Sequence, residues 1–202
     1  MKNLYSLFMC ISFAFGGCSQ SPVDSTELDS NNDIESAELL PEKKLTEIIS
    51  ENRIPKSQLS IKIDKSAYTL SVLHKDSVLI SYPCVLGFNA VDDKHQEGDG
   101  CTPEGEFGVR SMYAHKSWKY FIWIDYPNAE SWNRFNQRKA DGTIKSNATI
   151  GGEIGIHGVP EGSDYLIDDR VNWTLGCISI KNAHIEDLYK SITKSVQIEI
   201  VH

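Results

Sequence analysis

From Gln58 to the C-terminus the chain alternates apolar and polar residues at period two, in runs of strand length. Leu59-Ser-Ile-Lys-Ile63 and Ala67-Tyr-Thr-Leu-Ser-Val-Leu73 are the clearest runs, with Asp64-Lys65-Ser66 as the turn between them. Ser77 to Leu86 reads as a third strand. Its Pro83 cannot donate a ladder bond, which predicts an edge or a bulge there. A loop rich in Gly, Asp and Lys follows, from Gly87 to Gly105. Glu106–Met112, Trp118–Asp125, Glu153–His157, Gly176–Lys181 and Val196–Val201 complete the predicted strands. Helical spacing is confined to three segments. Pro41–Asn52 has proline at a first helical position and Leu45, Ile48 and Ile49 on one face. Ala129–Lys139 carries Trp132 and Phe135 on one side, and Asn182–Ile192 starts on an Asn cap with Ile185, Leu188 and Tyr189 facing inward. There is no internal repeat. The expected fold is mostly β with covering helices.

The opposite end of the chain has a different character. Lys2, an apolar run from Leu4 to Phe15 and the small residues Gly16-Gly17 describe a secretory signal, too short to cross a bilayer as a mature helix. Phe15-Gly16-Gly17-Cys18 resembles the lipobox of bacterial lipoproteins, with Phe15 where leucine is usual. That resemblance implies a lipid-modified Cys18 and a membrane anchor in a bacterial cell envelope, on the periplasmic or outer-membrane side. The alternative is an ordinary signal peptide cleaved nearby, with Cys18 a bystander. Ser19 to Leu40 then contains six acidic residues and no basic one, the composition of a self-repelling tether. The expected organisation is a signal over 1–17, a tether over 18–40, a short helix over 41–55 and the β domain over 56–202.

The tether supplies most of the excess in a formal net charge of −8, and that balance argues against a nucleic-acid partner. No His/Cys/Asp grouping has metal-ligand spacing, so no metal and no cofactor is expected. A monomer is expected. In an oxidising compartment Cys84, Cys101 and Cys177 can form one disulfide at most, and a Cys84–Cys101 bond would leave Cys177 unpaired. Trp118, Tyr120, Phe121 and Trp123 read as an aromatic stripe belonging to the core.

Two residues carry candidate chemistry. His157 ends the apolar run Ile154-Gly-Ile156, and Cys177 opens Ile178-Ser-Ile180. A glycine flanks each. A thiol becomes a nucleophile when a base takes its proton, and histidine is the usual base. N–H groups at Gly176 and Cys177 would form an oxyanion hole at the point of attack. Taken alone, the pair could equally be a core thiol and a satisfied strand-end histidine.

Gly155-Ile-His-Gly158 followed by Thr174-Leu-Gly-Cys177, with sixteen residues, Gly158 to Trp173, between His157 and Thr174, resembles the signature of the L,D-transpeptidase catalytic domain. Gly98-Asp-Gly-Cys-Thr-Pro-Glu-Gly-Glu-Phe107 resembles a second segment of that family, with Cys101 replacing a basic residue. Asp125-Tyr-Pro-Asn-Ala129 resembles the YafK-like branch. The resemblance covers roughly residues 58 to 202.

It implies a β-sandwich or open-barrel domain that acts on peptidoglycan stem peptides through a thioester on Cys177. His157 would be general acid and base, oriented by a backbone carbonyl for which Gly158 is the candidate. Thr174, Ser179 and Arg170 are the positions expected to meet substrate. Ser179 stands where many members carry arginine, and Arg170 or Arg110 is expected to supply the guanidinium instead. Two other readings remain: an L,D-amidohydrolase or carboxypeptidase that trims crosslinks or releases wall-linked protein, and a peptidoglycan-binding lipoprotein without turnover.

Overall fold

The structure is a computed structural model that describes residues 43–202. The expected signal segment, Cys18, the acidic tether and Pro41 lie outside the described residues. Nine strands form one sheet: β1 (Leu59–Asp64), β2 (Thr69–His74), β3 (Ser77–Val85), β4 (Gly105–Phe107), β5 (Val109–His115), β6 (Lys119–Ile124), β7 (Gly155–His157), β8 (Ile178–Ile180) and β9 (Gln197–Val201). Four helices accompany them: α1 (Leu45–Glu51), α2 (Ala129–Ala140), α3 (Tyr165–Asp168) and α4 (Asn182–Ser191). The strand order is β4-β9-β1-β2-β3-β8-β7-β6-β5. The two edge strands are therefore consecutive in the chain, separated only by Gly108. A one-residue link cannot span a flat nine-stranded sheet, so the sheet curls until its edges meet. Asp125 seals the seam, accepting from the Gly108 N–H at 2.9 Å while its own N–H donates to the Gly108 carbonyl at 3.0 Å.

Alternation decides which side of each strand is dry. Ile61 and Ile63, Leu70 and Val72, Ile122 and Ile124, Ile198 and Ile200 all point into one continuous core. Each such burial is worth about 1.5–3 kcal/mol. Pro83 departs from the expectation of an edge. β3 is central, and Pro83 is its last partner on β2 (Thr69↔Pro83) before Cys84 joins Ile180 of β8. The missing donor falls where the strand exchanges one neighbour for another.

The helix starts also differ from the sequence reading, because tertiary partners cap them. Asp187 of α4 accepts from the first N–H groups of α1, Leu45 at 2.7 Å and Thr46 at 3.1 Å, and from the Tyr82 hydroxyl at 2.9 Å. Asn182 is not the cap of α4. Its N–H is held instead by Asp164 Oδ1 at 3.1 Å, and Lys181 precedes the helix without a side-chain cap bond. Asn128 does cap α2: its Oδ1 accepts from the Ser131 N–H, and its Nδ2 donates to the Glu106 carbonyl. The Tyr126-Pro127-Asn128 segment, which contains a cis Tyr126–Pro127 bond, thus stitches β4 to α2.

The Gly87–Gly105 loop is tied down by ions. Lys65, fully buried, donates to Glu104 Oε1 at 2.7 Å and to the Asp92 carbonyl at 2.8 Å. Asp99 gathers the Lys94 ammonium and the N–H groups of His95, Gln96 and Cys101. Burial pushes the Asp99 carboxyl up, but these donors outweigh it and hold the group below its usual range. Cys84 and Cys101 are both buried free thiols, with no bond between them.

Candidate active site

Strand register builds the site. Tyr113 of β5, Phe121 of β6, His157 of β7 and Ser179 of β8 lie in one row across the sheet. Ser111, Trp123 and Gly155 form the row beside it, and Cys177 extends that row, two positions before Ser179. The row between them, Met112, Ile122, Ile156 and Ile178, faces the core. β7 and β8 run parallel, so the end of one and the approach to the other carry His157 and Cys177 on the same face. Ideal strand spacings put their Cα atoms roughly 8 Å apart, within mutual reach of the two side chains.

Both residues line a cavity of about 600 Å³ with Tyr113, His115, Trp118, Phe121, Trp123, Glu153, Trp173, Thr174 and Leu175. The aromatic stripe is therefore not core as a whole. Phe121 and Trp123 face the cleft, while Tyr120 turns away to stack on Tyr189 of α4 at 4.2 Å. Its signal was in the sequence: the aromatics at 121 and 123 alternate with the isoleucines at 122 and 124.

His157 is only 1% exposed. Its ring stacks on Trp118 at 4.5 Å and on Phe121 at 5.7 Å, with Trp173 edge-on at 5.5 Å. Nδ1 lies 2.6 Å from the Gly158 carbonyl. A carbonyl can only accept, so Nδ1 carries the proton in the neutral ring and Nε2 is left as the base. Burial lowers the imidazole pKa to about 4, against the opposing pull of the Gly158 carbonyl and with a smaller contribution from His115. Cys177 donates its S–H to the Glu153 carbonyl at 3.4 Å. Burial raises the thiol to about 11, although the Gly155 N–H supports the anion. Burial thus disfavours the charged form of both groups, and so works against an imidazolium–thiolate pair at rest.

Several expected residues have other positions. Ser179 is fully buried, and its hydroxyl donates to the Gly158 carbonyl at 3.2 Å, the same oxygen that holds His157. It does not line the cleft. Arg170 is exposed, with a left-handed φ of 51°, and its guanidinium lies 5.6 Å from the centre of the Tyr68 ring, away from the cleft lining. Thr174 does line the cleft, but its hydroxyl is committed to the chain: it donates to the Cys177 carbonyl at 2.6 Å and accepts from the Gly176 N–H at 3.2 Å. Of the two N–H groups expected for the oxyanion, that of Gly176 is thus already engaged. Gly176 has φ +134°, and a Cβ there would meet the Cys101 carbonyl at 2.6 Å, so only glycine fits the turn before the thiol. Gly158 is similarly required, since a Cβ would fall 2.7 Å from the Trp118 carbonyl. Sequence reasoning missed Trp173, His115, Glu153 and the exposed Leu175 as cleft residues; they sit in loops or at strand ends, where no period marks a face. Among the described residues no cluster suited to a metal ion occurs.

The sequence matches the family model for YkuD, the L,D-transpeptidase catalytic domain, over residues 58–200, and the chain belongs to that family. Its fold is similar to that of Bdellovibrio bacteriovorus Bd1075, at 20% identity and a TM-score of 0.51, over 71% of this chain and 48% of that one. It is also similar to the helical cell shape determining protein Pgp2 from Campylobacter jejuni, at 21% identity and a TM-score of 0.52, over 78% and 55%. The chain thus spans about half the length of these two structures. No curated protein sequence matches it.

Proposed function

We propose that this chain is a cysteine-dependent acyl transferase of peptidoglycan stem peptides, an L,D-transpeptidase working through a Cys177 thioester. The observation that carries the reading is the shared cleft of Cys177 and His157, with His157 Nδ1 anchored on the Gly158 carbonyl. The Cys177 sulfur adds to the carbonyl of an L-centred residue such as diaminopimelate as His157 Nε2 takes the thiol proton. With burial disfavouring the charged form of both groups, deprotonation accompanies attack rather than preceding it. The tetrahedral oxyanion turns toward the Cys177 N–H, with the Gly176 N–H shared with Thr174. Collapse breaks the C–N bond, and His157 returns the proton to the departing amine. An acceptor amine then attacks the thioester, and the thiol is restored.

Membership of the YafK-like branch, resting on Asp125-Tyr-Pro-Asn-Ala129, lipid attachment at Cys18 and a place in the cell envelope belong to the same proposal. The deciding experiment incubates residues 41–202 with a carbapenem and with muropeptides and reads intact mass. An adduct lost in Cys177→Ala, together with crosslinked products, is expected. Trimmed products without crosslinks would make the enzyme a hydrolase. Neither adduct nor turnover would leave a binding protein. For Cys18, the intact mass of the chain purified from bacterial membranes should show a diacylglyceryl group, and an unmodified N-terminus would reject the anchor.

A further inference from the structure

Every charged side chain in the Gly87–Gly105 loop that is buried has a partner; two beside the cleft do not. Glu153 is the one carboxylate among the residues lining the cavity, and no lysine or arginine lines it. Glu153 is exposed, forms no ion pair among the described residues, and is held at a left-handed φ of 58°, a costly backbone for a residue with a Cβ. Its carbonyl receives the Cys177 thiol, which fixes the residue beside the nucleophile.

The other charge is Arg110. The β5–β6 register skips between Val109 and Ser111, so Arg110 is the extra residue of a β-bulge. Bulges re-aim side chains, and here the guanidinium lies 5.2 Å from the centre of the Trp123 ring, which itself lines the cleft. Stacking on an indole orients a guanidinium and leaves its N–H edge available. Arg110 is exposed and has no carboxylate partner among the described residues. Only β6 separates its strand from β7, so about 10 Å of sheet lies between the two backbones. An arginine and a glutamate side chain, with a small group between them, fill that span.

We propose that Arg110 and Glu153 form a subsite for a zwitterionic amino-acid head group, an ammonium and a carboxylate on one carbon, carried on the substrate's side chain next to the scissile carbonyl. Glu153 takes the ammonium and Arg110 the carboxylate, with Trp123 as the wall between them. The proposal rests on the stem-peptide reading above and specifies which part of the donor is recognised. In a diaminopimelate donor it is the distal centre.

The test is equilibrium binding to the full chain carrying Cys177→Ala, which separates recognition from turnover. Three tetrapeptide donors serve as probes: one with the distal diaminopimelate centre intact, one with its distal carboxylate amidated, and one with its distal amine acetylated. The intact peptide is expected to bind about tenfold tighter than either modified form. Adding Arg110→Gln should erase the preference over the amidated peptide, and adding Glu153→Gln the preference over the acetylated one. Circular dichroism of each variant checks that the fold is intact. Equal affinity for all three peptides, binding of none, or preferences that survive both substitutions would overturn the subsite. Discrimination by a chain whose Cys177 form makes no thioester would sink the transferase reading and keep the subsite. Thioester formation without discrimination would do the reverse.

Discussion

The Gly98–Phe107 segment and the Thr174–Cys177 segment both match family motifs, yet physically they are opposites. In and around the first, Asp99, Lys94, Glu104 and Lys65 are paired with one another or with backbone groups. Its position against the site is structural: the Cys101 carbonyl lies against Gly176. In and around the second, a thiol and an imidazole sit in a cleft whose nearby charges lack partners. A satisfied polar network holds a shape, whereas unspent groups facing a cavity are what a substrate can use. A shared motif therefore does not mean a shared role.

The comparison breaks most sharply at the thiol. Cys177→Ala is expected to reduce turnover at least about 10³-fold while moving the melting temperature little, because the residue is one small side chain at the cleft. Steady-state rates and calorimetry on the same sample check both halves. A rate within tenfold of the parent would move the chemistry elsewhere.

His157 sharpens the contrast through pH. The proposed mechanism uses the neutral ring, so the rate should stay level through neutrality and fall only as pH drops through about 4. Stability follows a different window. As pH falls from the ordinary histidine value of 6.5 toward about 4, the unfolded chain binds a proton that folded His157 refuses, and the fold weakens. His157→Gln should flatten that slope and cost about 10²–10⁴-fold in rate. A rate profile with its acid limb near 6.5 would show the ring to be solvated instead.

At the loop the expected effect reverses. Lys65→Met strands Glu104 and three carbonyls, and should cost about 3 kcal/mol, the low end for breaking a buried pair because Glu104 is partly exposed. The melting temperature should drop by about 10 °C, with the muropeptide rate below it much less affected. A stability loss under about 1 kcal/mol would mean that the loop is not held by this ion.

The smallest effect belongs to Ser179→Ala. It removes one of two donors on the Gly158 carbonyl and should lower the rate about tenfold while shifting the acid limb of the profile, since the imidazole loses part of its orientation. An unchanged profile would reduce Ser179 to packing.

Much of this protein was legible in one dimension. Period two marked the strands and the extent of α2 was placed to within a residue, whereas its cap at Asn128 and the crowding at Gly158 and Gly176 emerged only in the fold. Alternation tells that a strand has two faces, but not which face the rest of the chain covers. That is why Phe121 and Trp123 read as core although they line the cleft, and why Ser179 read as a substrate contact although it is buried. Register, closure at Gly108 and tertiary caps such as Asp187 depend on residues far apart in sequence, and no local pattern encodes them. The sequence by itself determined the strand content and the family and singled out His157 and Cys177 as candidates, because these follow from local spacing. Only the tertiary structure decided that Thr174 holds the Gly176 N–H, that Gly158 receives both His157 and Ser179, and that Arg110 lies over Trp123 of the cleft wall, because each is a meeting that the folded chain brings about.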